Sequence, residues 1–485
     1  MRLAVGLEVH AHLGTASKLF CPCPADSFGR EPNSCVCPVC TGQPGVLPVL
    51  NRRAVELAAR AALALGAEPL RVSVFARKNY FYPDMPKNYQ ISQYEEPLAA
   101  GGAVRLPDGK EIRIRRVHIE EDAGKLLHAI GSEELSCSLV DFNRAGIPLI
   151  EIVSEPDLGS PEEAFAYLGE LKAVLQYCGV SRCDMEKGEL RCDANVSVRT
   201  EGSAALGAKV EVKNLNSFRA VKDALAYEHR RQAELLERGG RVEPETRLFD
   251  ADTGRTEPMR TKEEAHDYRY FPEPDLPPLV LDPAYVDGIR KGLPELPAPR
   301  RARFIREYGV SPYDAGVLTA DRDLAGYFES VVAAAQGPQS PERDVFHLAK
   351  AAANWIGSEL LAKLREERMS PADSRVPAAH LAELLSLMDD GTLSGKLGKE
   401  VFARMWESGA SPAEIVAASG LRQVTDESEV GRWVDEAMAE NPAAVADLKD
   451  GKGKAAGALV GAVMKKSAGK ANPALVQRLI KERIR

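Results

Sequence analysis

A proline-rich stretch divides the chain into two parts with different hydrophobic patterns. It contains FPEPDLPPLVLDP (271–283) and LPELPAPR (293–300). Before it, short segments of alternating polar and apolar residues are separated by Gly, Pro and Asn, as is typical of strands joined by turns. After it, apolar residues recur at helical spacing, and Ser-Pro pairs at 311, 370 and 411 indicate helix starts. The change predicts an α+β protein with a β-rich part, built on an antiparallel sheet, followed only by helices.

Length and composition agree with a globular protein of several domains. The chain has 485 residues, 44% of them hydrophobic and 28% charged, which is enough for about two to four domains. With a second joint at SGASP (408–412), the predicted domains are a β-rich domain over 1–292, a helical domain over 293–410 and a small helical domain over 411–485. There is no apolar run of the length, about 18 residues, that a membrane span requires. The polar residues within MRLAVGLEVHAHL argue against a secretory signal and favour a cytoplasmic location.

Charge is distributed unevenly along the chain. The net charge is −8, yet residues 451–485 contain nine Lys or Arg and one Glu, a sum of +8, so the rest of the chain carries −16. A basic tail on an acidic body predicts that a polyanion binds at the tail. The alternative is a solvated helical face with surplus lysine.

Several predicted strands place acids beside bases or amides on one face. In MRLAVGLEVH, Glu8 and His10 fall on the face opposite the apolar residues, because side chains alternate along a strand. The same reasoning groups three further polar sets: His118, Glu120 and Asp122; Arg191, Asp193, Asn195 and Ser197; Glu211 and Lys213. If these faces coincide, their carboxylates suit Mg²⁺ and their cations suit phosphate groups. The alternative is that polar residues simply face water.

Common nucleotide and hydrolase motifs are missing from the sequence. There is no G-x-x-x-x-G-K-[ST] loop, no G-x-G-x-x-G before a helix and no G-x-S-x-G elbow. A nucleotide would therefore have to bind on the sheet. We also find no Gly/Ser-rich stretch of the kind that carries the serine nucleophile of amidases.

Clustered cysteines predict a metal site near the N-terminus. Cys21-Pro-Cys23 and Cys37-Pro-Val-Cys40 bracket a short loop, a spacing that suits a structural, tetrahedral Zn²⁺ site with these four thiolates as ligands. Cys35 is a fifth candidate for the ligand set. The alternatives are free reduced thiols and an iron–sulfur cluster.

The longer motifs of the chain resemble one known family, the B subunits of the bacterial aspartyl/glutamyl-tRNA amidotransferases. The resemblance spans almost the whole chain, and the motifs follow the order of that family. They are GLEVHAHLGTASKLFC (6–21), ARKNYFYPDMPKNYQISQ (76–93), HIEEDAGK (118–125), IPLIEIVSEPD (147–157), LRCDANVSV (190–198), EVKNLNSF (211–218), DYRYFPEPD (267–275) and GKGKAAGALVGAVMKKSAGKANP (451–473).

The resemblance implies a catalytic cradle domain, a helical domain and a tRNA-binding tail. It implies ATP- and Mg²⁺-dependent phosphorylation of the side-chain carboxylate on Glu-tRNA(Gln) or Asp-tRNA(Asn), followed by amidation with ammonia. The ammonia would come from the family's amidase (A) subunit, in a heterotrimer completed by its small (C) subunit. The family's catalytic metal ligands correspond to Glu8, His10, Glu121 and Asp193, and the residues at the nucleotide to Lys78, Glu211 and Lys213. The cysteine pairs match the zinc-bearing members.

Two other functions remain open at this point. One is a zinc-stabilised tRNA-binding scaffold without catalysis, although a pure RNA binder would favour Lys and Arg over acids on the polar strand faces. The other is a stand-alone ligase that uses free ammonia. The sequence does not decide between the two tRNA substrates.

Overall fold

A computed structural model divides the chain into two compact units, Met1–Ala298 and Pro299–Arg485. It describes residues 1–130, 133–203, 205–259, 268–336, 344–424, 426–449 and 454–484. The predicted fold class is confirmed, since the first unit carries the sheet and the second is helical. The start of the DYRYFPEPD motif, Asp267, and the tail residues 451–453 and Arg485 lie outside the described residues.

In its described residues, the first unit contains short strands, long strands and helices. Its strands are β1 (Arg2–His12), β2 (Glu68–Pro69), β3 (Val72–Ser73), β4 (Phe75–Asn79), β5 (Tyr89–Gln93), β6 (Ala99–Ala100), β7 (Ala103–Arg105), β8 (Glu111–Glu121), β9 (Lys125–Ile130), β10 (Glu133–Asp141), β11 (Pro148–Ser154), β12 (Leu190–Arg199), β13 (Val210–Lys213), β14 (Glu245–Asp250), β15 (Arg255–Pro258), β16 (Phe271–Pro272) and β17 (Leu279–Val280). Its helices are α1 (Arg52–Ala64), α2 (Pro161–Tyr177), α3 (Phe218–Glu237) and α4 (Pro283–Lys291).

One large sheet forms the centre of this unit. Its strand order is β15-β14-β13-β12-β1-β11-β8-β6-β2, and β7 pairs with β8 outside this path. The neighbours are antiparallel, as predicted, except that β13 and β14 are parallel. A parallel pair needs a long crossover connection, and α3 provides it between these two strands.

Side-chain alternation gives the large sheet one apolar and one polar face. Val5, Leu7 and Val9 of β1 are fully buried with Val196 of β12 and Ile150 of β11 in one hydrophobic core. Residues from α1, α2 and α3 belong to the same core. The helices therefore cover the apolar face, while the polar residues of the same strands share the opposite face.

The described part of the first unit also contains three smaller sheets. Strands β4 and β5 form an antiparallel pair that β16 extends, β3 pairs with β17, and β9 pairs with β10. Hydrogen bonds join β5 to β8, since Gln90 Nε2 donates to the carbonyl of Glu121 over 2.6 Å and Gln93 Oε1 accepts from the amide of Ile119 over 3.0 Å. The β4–β5 pair is thereby fixed beside the large sheet.

In its described residues, the second unit contains helices that pack into two separate hydrophobic cores. They are α5 (Pro297–Tyr308), α6 (Pro312–Leu318), α7 (Arg322–Ala335), α8 (Val345–Trp355), α9 (Leu361–Glu367), α10 (Ala378–Asp389), α11 (Gly395–Ser408), α12 (Pro412–Ser419), α13 (Glu427–Glu440), α14 (Pro442–Lys449), α15 (Lys454–Lys466) and α16 (Pro473–Ile484). A π-helical turn (Ile356–Leu360) precedes α9, and Ser370-Pro371 starts only a 3₁₀ turn (Pro371–Asp373). Among the described residues, no helix is long and apolar enough to span a bilayer.

The division between the two helical cores falls later than the predicted boundary at 410–411. Ile415, Val416 and Leu421 belong to the first core, with residues of α7, α8, α10 and α11. The second core contains Val430 and Val434 of α13 and Leu479 of α16. Helix α12, which the sequence analysis placed in the tail, thus packs with the middle helices.

The buried carboxylate of Glu228 links α3 to β14, one of the two parallel strands of the large sheet. The side chain of Glu228 is inaccessible to solvent; it accepts hydrogen bonds from Arg231 and Gln232 and forms an ion pair with Arg247 of β14 at 3.2 Å. Burial opposes ionisation, but the hydrogen bonds from Arg231, Thr256 and Gln232 outweigh it and lower the pKa of Glu228. Breaking such a group by removing one partner leaves buried charges uncompensated.

We therefore expect Glu228→Ala to destabilise the first unit by about 3 kcal/mol. The matched control is Glu234→Ala on the same helix, because Glu234 forms only an exposed pair with Arg238 and such pairs contribute about 0–1 kcal/mol. Hydrogen exchange of the buried amides of α3 and β14 measures the difference in opening free energy. Equal exchange in the two variants would contradict a stabilising role for the Glu228 network.

Candidate functional site

The polar residues of four neighbouring strands lie in rows across the large sheet. His10 of β1 is directly opposite Arg191 of β12 and Glu151 of β11. Glu151 is in turn opposite His118 of β8. In the next row, Glu8 is opposite Asp193. Directly opposite residues share a face, so the predicted polar faces do coincide.

His10, Glu120 and Glu151 form a compact acid–histidine cluster with His118. His10 Nε2 lies 3.5 Å from Glu120 Oε1 and 3.4 Å from Glu151 Oε2. His118 Nε2 lies 3.0 Å from the same Glu151 oxygen. Both carboxylates are almost entirely buried, with side chains 3% and 8% exposed. One ligand atom each from His10, Glu120 and Glu151 can approach a common position, all within 4.8 Å of one another.

The electrostatics of this cluster favour ionised carboxylates. Burial alone would lower the pKa of His118, but the charges of Glu151 and Glu120 outweigh it and raise the pKa to about 9. Burial likewise opposes ionisation of Glu151, yet the two histidines hold its pKa well below the usual range. The acids are therefore charged at neutral pH, as cation binding requires.

Lys78 brings a positive charge close to this cluster. It lies on β4, and its Nζ is 5.0 Å from the ring centroid of Tyr268. Burial would lower the pKa of Lys78, but the charges of Glu120, Tyr270 and Glu151 raise it overall. Lys78 thus stays protonated beside the acids.

Glu8, Asp193, Glu211 and Lys213 form a second polar group farther along the sheet. Asn195 Nδ2 donates to Glu8 Oε1 over 2.8 Å. Lys213 Nζ lies 2.8 Å from Asp193 Oδ2 and 2.9 Å from Glu211 Oε1. Burial opposes the charge of Lys213, but Asp193 and Glu211 raise its pKa. This group shares the polar face with the acid–histidine cluster, although neither Glu8 nor Asp193 belongs to the three-residue set that could hold one ion.

Glu121 does not lie on the polar face. Its side chain pairs with Lys87, and its Oε1 accepts a hydrogen bond from the amide of Ile91 over 2.9 Å. It lines a cavity of about 100 Å³ together with Lys18, Phe20 and Cys40. The physical reason is strand alternation, which sends successive residues of β8 to opposite faces. The structure thus brings Glu120, and not the predicted Glu121, together with His10 and Glu151.

Two further residues of the cluster are missed by the sequence analysis. Glu151 lies within IPLIEIVSEPD, on a strand whose seven residues are all buried. A single acid in such an apolar run signals a special role, because buried strands are otherwise nearly continuous runs of Val, Ile and Leu. Alternation places His118 on the correct face, but the sequence gives it no role.

Asp122 organises the edge of the polar face next to the cluster. It accepts a hydrogen bond from Arg191 Nη2 over 2.8 Å, and His12 Nε2 lies 2.7 Å from its other oxygen. Burial opposes its ionisation, but the charges of Arg191 and Arg144 depress the pKa of Asp122 strongly. Its charge is thereby compensated by two arginines, whereas Glu120 and Glu151 lie beside histidines and Lys78.

Cys21, Cys23, Cys37 and Cys40 meet in one group on the loop after β1. Their Sγ atoms all lie within 4.8 Å of one another, and Cys35 is not part of the group. The backbone amide of Cys35 instead donates to Asn143 Oδ1 over 2.7 Å, and its carbonyl accepts from Lys18 Nζ over 2.8 Å. The hydrogen bond from Cys21 and the charge of Lys18 lower the pKa of Cys40 to about 4. Four converging sulfur atoms fit a structural Zn²⁺ site.

The donor atoms of the two groups fit different metals. Four sulfur donors suit Zn²⁺. The two carboxylates of the acid–histidine cluster suit Mg²⁺, which prefers oxygen and is commonly held by one or two carboxylates together with phosphate oxygens. The imidazole of His10 is a less usual neighbour for Mg²⁺ and could contact the ion through water.

Comparisons with known proteins agree with this geometry. Residues 3–287 match the family described as the GatB/GatE catalytic domain, and residues 342–484 match the GatB domain. The chain is 54% identical over 483 residues to the B subunit of the aspartyl/glutamyl-tRNA(Asn/Gln) amidotransferase from Moorella thermoacetica, covering 99% of both chains. It is 52% identical to the protein of the same name from Carboxydothermus hydrogenoformans, over 99% of this chain and 98% of the relative.

These matches first define a protein with the GatB/GatE catalytic domain, over the part of the chain that carries the large sheet and the acid–histidine cluster. The second domain and the identity over the full length are more specific. The chain belongs to the family of aspartyl/glutamyl-tRNA(Asn/Gln) amidotransferase B subunits.

The cysteine group predicts one tightly held zinc ion per chain. We expect Cys40→Ser to abolish zinc binding, because it removes one of four converging thiolates, and Cys35→Ser to retain it. Elemental analysis of the purified full chain after dialysis against a weak chelator measures the zinc content. Equal loss in both variants would show that the ligand set includes Cys35.

Proposed function

We propose that this chain activates the side-chain carboxylate of a misacylated tRNA for amidation. The substrates are Glu-tRNA(Gln), Asp-tRNA(Asn) or both, and the products are Gln-tRNA(Gln) and Asn-tRNA(Asn). The observation that carries the proposal is the cluster of His10, Glu120 and Glu151 beside Lys78, in a chain whose relatives are named as B subunits of this amidotransferase. On this view the complex is an ATP-dependent carbon–nitrogen ligase with glutamine as amide donor.

Activation requires a phosphoryl transfer because a free carboxylate is a poor electrophile. A carboxylate oxygen of the substrate attacks the γ-phosphorus of ATP, the bond from that phosphorus to the β–γ bridging oxygen breaks, and ADP leaves. Such a transfer depends mainly on positioning and charge compensation. Bound Mg²⁺ would supply that compensation at the phosphate oxygens. His10, Glu120 and Glu151 are the residues that would hold it, and the ammonium group of Lys78 would contact a phosphate oxygen.

Glu8, Asp193, Glu211 and Lys213 extend the polar face on the other side of His10. The resemblance assigns Glu8 and Asp193 to the catalytic metal. Because they lie outside the three-residue set with His10, they would bind a second cation or the substrate at this position. Lys213 and Glu211 would help to orient the nucleotide. Because Lys213 already pairs with both Asp193 and Glu211, binding at this group requires the lysine to exchange partners.

The second step displaces phosphate from the activated carboxyl group. The nitrogen of ammonia attacks the acyl carbon, the carbon–oxygen bond to the phosphate breaks, inorganic phosphate leaves, and the nitrogen loses a proton to form the amide. The sequence shows no amidase-type serine motif. We therefore assign the production of ammonia to a partner, the amidase (A) subunit, in a heterotrimer with the small (C) subunit.

Binding of tRNA is assigned to the C-terminal helices. Part of the predicted basic charge is internally compensated: Lys466 pairs with Glu440, Arg478 with Glu427 and Arg483 with Asp435. Lys465, Lys470 and Lys481 have no ion-pair partner among the described residues. They are the better candidates for phosphate contacts, which would weaken as salt increases.

The acid–histidine cluster predicts that Glu120, and not its neighbour Glu121, controls the dependence of phosphate release on Mg²⁺. We expect Glu120→Gln to lower phosphate release from ATP by at least about 10- to 100-fold, a loss already seen when groups that only orient a metal ligand are changed. Higher Mg²⁺ concentrations should restore part of the rate. The measurement is phosphate release by the assembled heterotrimer, with charged tRNA compared against uncharged tRNA.

Two controls separate this effect from general damage. Glu155→Gln removes a partly exposed acid of the same region that pairs with Arg115 and should leave the Mg²⁺ dependence unchanged. Glu121→Gln should also leave it unchanged, since Glu121 lies on the other face. A Mg²⁺ defect in Glu121→Gln but not in Glu120→Gln would support the assignment made from the family motif. Negligible release with either tRNA, from a wild-type complex shown to bind tRNA, would favour the non-catalytic scaffold.

A further inference from the structure

Strand β8 contains a bulge at two successive arginines, Arg115 and Arg116. Pairing of β8 with β11 shifts register between Val153, opposite Arg116, and Ser154, opposite Ile114. Arg115 is the additional residue, and its Nη2 pairs with Glu155 at 2.9 Å. Bulges are common next to active sites because they redirect side chains.

Arg116 lies in the same row as the acids of the polar face. It is opposite Val153 of β11, which is opposite Glu8 of β1, which is opposite Asp193 of β12. It is also two residues before His118, and so on the same side of β8. The guanidinium group therefore belongs to the face that carries the acid–histidine cluster.

The guanidinium of Arg116 lacks the partners that its neighbours have. Arg113 donates two hydrogen bonds to Asp157 through Nε and Nη2, over 2.9 and 2.8 Å. Arg115 does the same with Glu155. Within the described part of the chain, Arg116 forms no ion pair, and its buried Nε has no hydrogen-bond partner. A buried donor without a partner costs free energy, which a ligand with acceptor atoms would recover.

Aromatic rings restrict where this guanidinium can lie. Its carbon is 5.6 Å from the ring centroid of Tyr94, within the range of a cation–π contact. The ring of Tyr94 stacks on Tyr270, with centroids 4.3 Å apart and planes 8° from parallel. Tyr270 also contacts Tyr268, whose ring faces Lys78. Tyr268 and Tyr270 of the DYRYFPEPD motif thus form, with Tyr94, a chain of rings between Lys78 and Arg116.

We propose that Arg116 is a phosphate-binding residue whose guanidinium takes the oxyanion of a substrate at the polar face. The inference rests on the proposed function, since it adds a second cation to the site at which ATP would react. The planar guanidinium presents paired donors that match phosphate oxygens. ATP is the expected source of the phosphate, and a backbone phosphate at the acceptor end of the tRNA is the other source of the same chemistry.

Binding measurements on the full chain, assembled with its proposed partners, test the assignment. The variants are Arg116→Gln and Arg116→Lys, with Arg115→Gln as the matched control from the same bulge. The probes are Mg·ATP, Mg·tripolyphosphate and charged tRNA, each titrated in the absence of the others. Circular dichroism and zinc content verify that each variant is folded.

We expect Arg116→Gln to weaken binding of Mg·ATP and Mg·tripolyphosphate by a similar factor, roughly 10- to 100-fold, as for a lost charged hydrogen bond. Arg116→Lys should fall between wild type and Arg116→Gln, because lysine keeps the charge without the paired donors. Arg115→Gln should bind both ligands like wild type.

The other outcomes also decide the matter. In one outcome, Arg116→Gln binds both phosphate ligands like wild type but binds tRNA more weakly, and the salt dependence of tRNA binding falls by about one phosphate contact. That result would support Arg116 as a phosphate ligand with tRNA as the source. Wild-type binding of all three probes by a folded Arg116→Gln variant would overturn the inference. If the wild-type complex binds neither Mg·ATP nor Mg·tripolyphosphate, the proposed kinase function fails, while the tRNA titration still decides the role of Arg116.

Discussion

The register of β1 between β11 and β12 is the constraint on which the site depends. This strand pairs with both neighbours through the segment that contains Glu8 and His10. Because side chains alternate, a slip of one residue would bury Glu8 and His10 and expose Leu7 and Val9. Burial of the β1 residues Val5, Leu7, Val9 and Ala11 in the main core opposes that slip. The hydrophobic face thus fixes the position of the polar one.

The same register explains why the acids of the cluster can remain buried and charged. Glu120 and Glu151 share their charge with His10 and His118, whereas Asp122 is compensated by Arg191 and Arg144. Buried charges are tolerated where partners or ligands compensate them. Among the described residues, Glu120 and Glu151 have the two imidazoles and Lys78 for this purpose, and Ser92 Oγ donates a further hydrogen bond to Glu120 over 3.1 Å. A bound cation can replace the protons of these imidazoles in compensating the acids, whereas the arginines beside Asp122 stay charged and leave no such exchange there.

Local signals in the sequence predict several elements closely. The Ser-Pro pairs at 311 and 411 mark the starts of α6 and α12, with Ser311 and Ser411 as N-caps. Alternation also places Glu8, His10, His118 and Glu120 on one face. The family motif instead points to Glu121, although alternation puts that residue on the apolar face. Position in a motif does not distinguish adjacent acids, whereas strand geometry does.

Features that depend on distant pairing could not be predicted from the sequence. Glu151 joins the cluster only because β11 lies between β1 and β8, and the bulge at Arg115 becomes visible only when two strands are aligned. The parallel pair of β13 and β14 likewise depends on where α3 returns the chain. Helix α12 carries a capping box that marks its start, but no local signal shows which of two cores its apolar residues will join.

The cysteine group restrains a long loop, and this structural role is independent of catalysis. Between the end of β1 at His12 and the start of α1 at Arg52, the chain forms no regular strand or helix. Loops of this length within a compact domain are uncommon and usually need other restraints. The four thiols hold distant parts of the loop together. The Nζ of buried Lys18 donates to Cys40 Sγ and also to the carbonyl of Phe142, which lies outside the loop. Lys18 and Cys40 also line the cavity that contains Glu121, so an ordered loop helps to define the environment on the other side of β8 from the acid–histidine cluster. A metal held by these thiols would thereby stabilise the surroundings of the strand that supplies Glu120, without contacting the site itself.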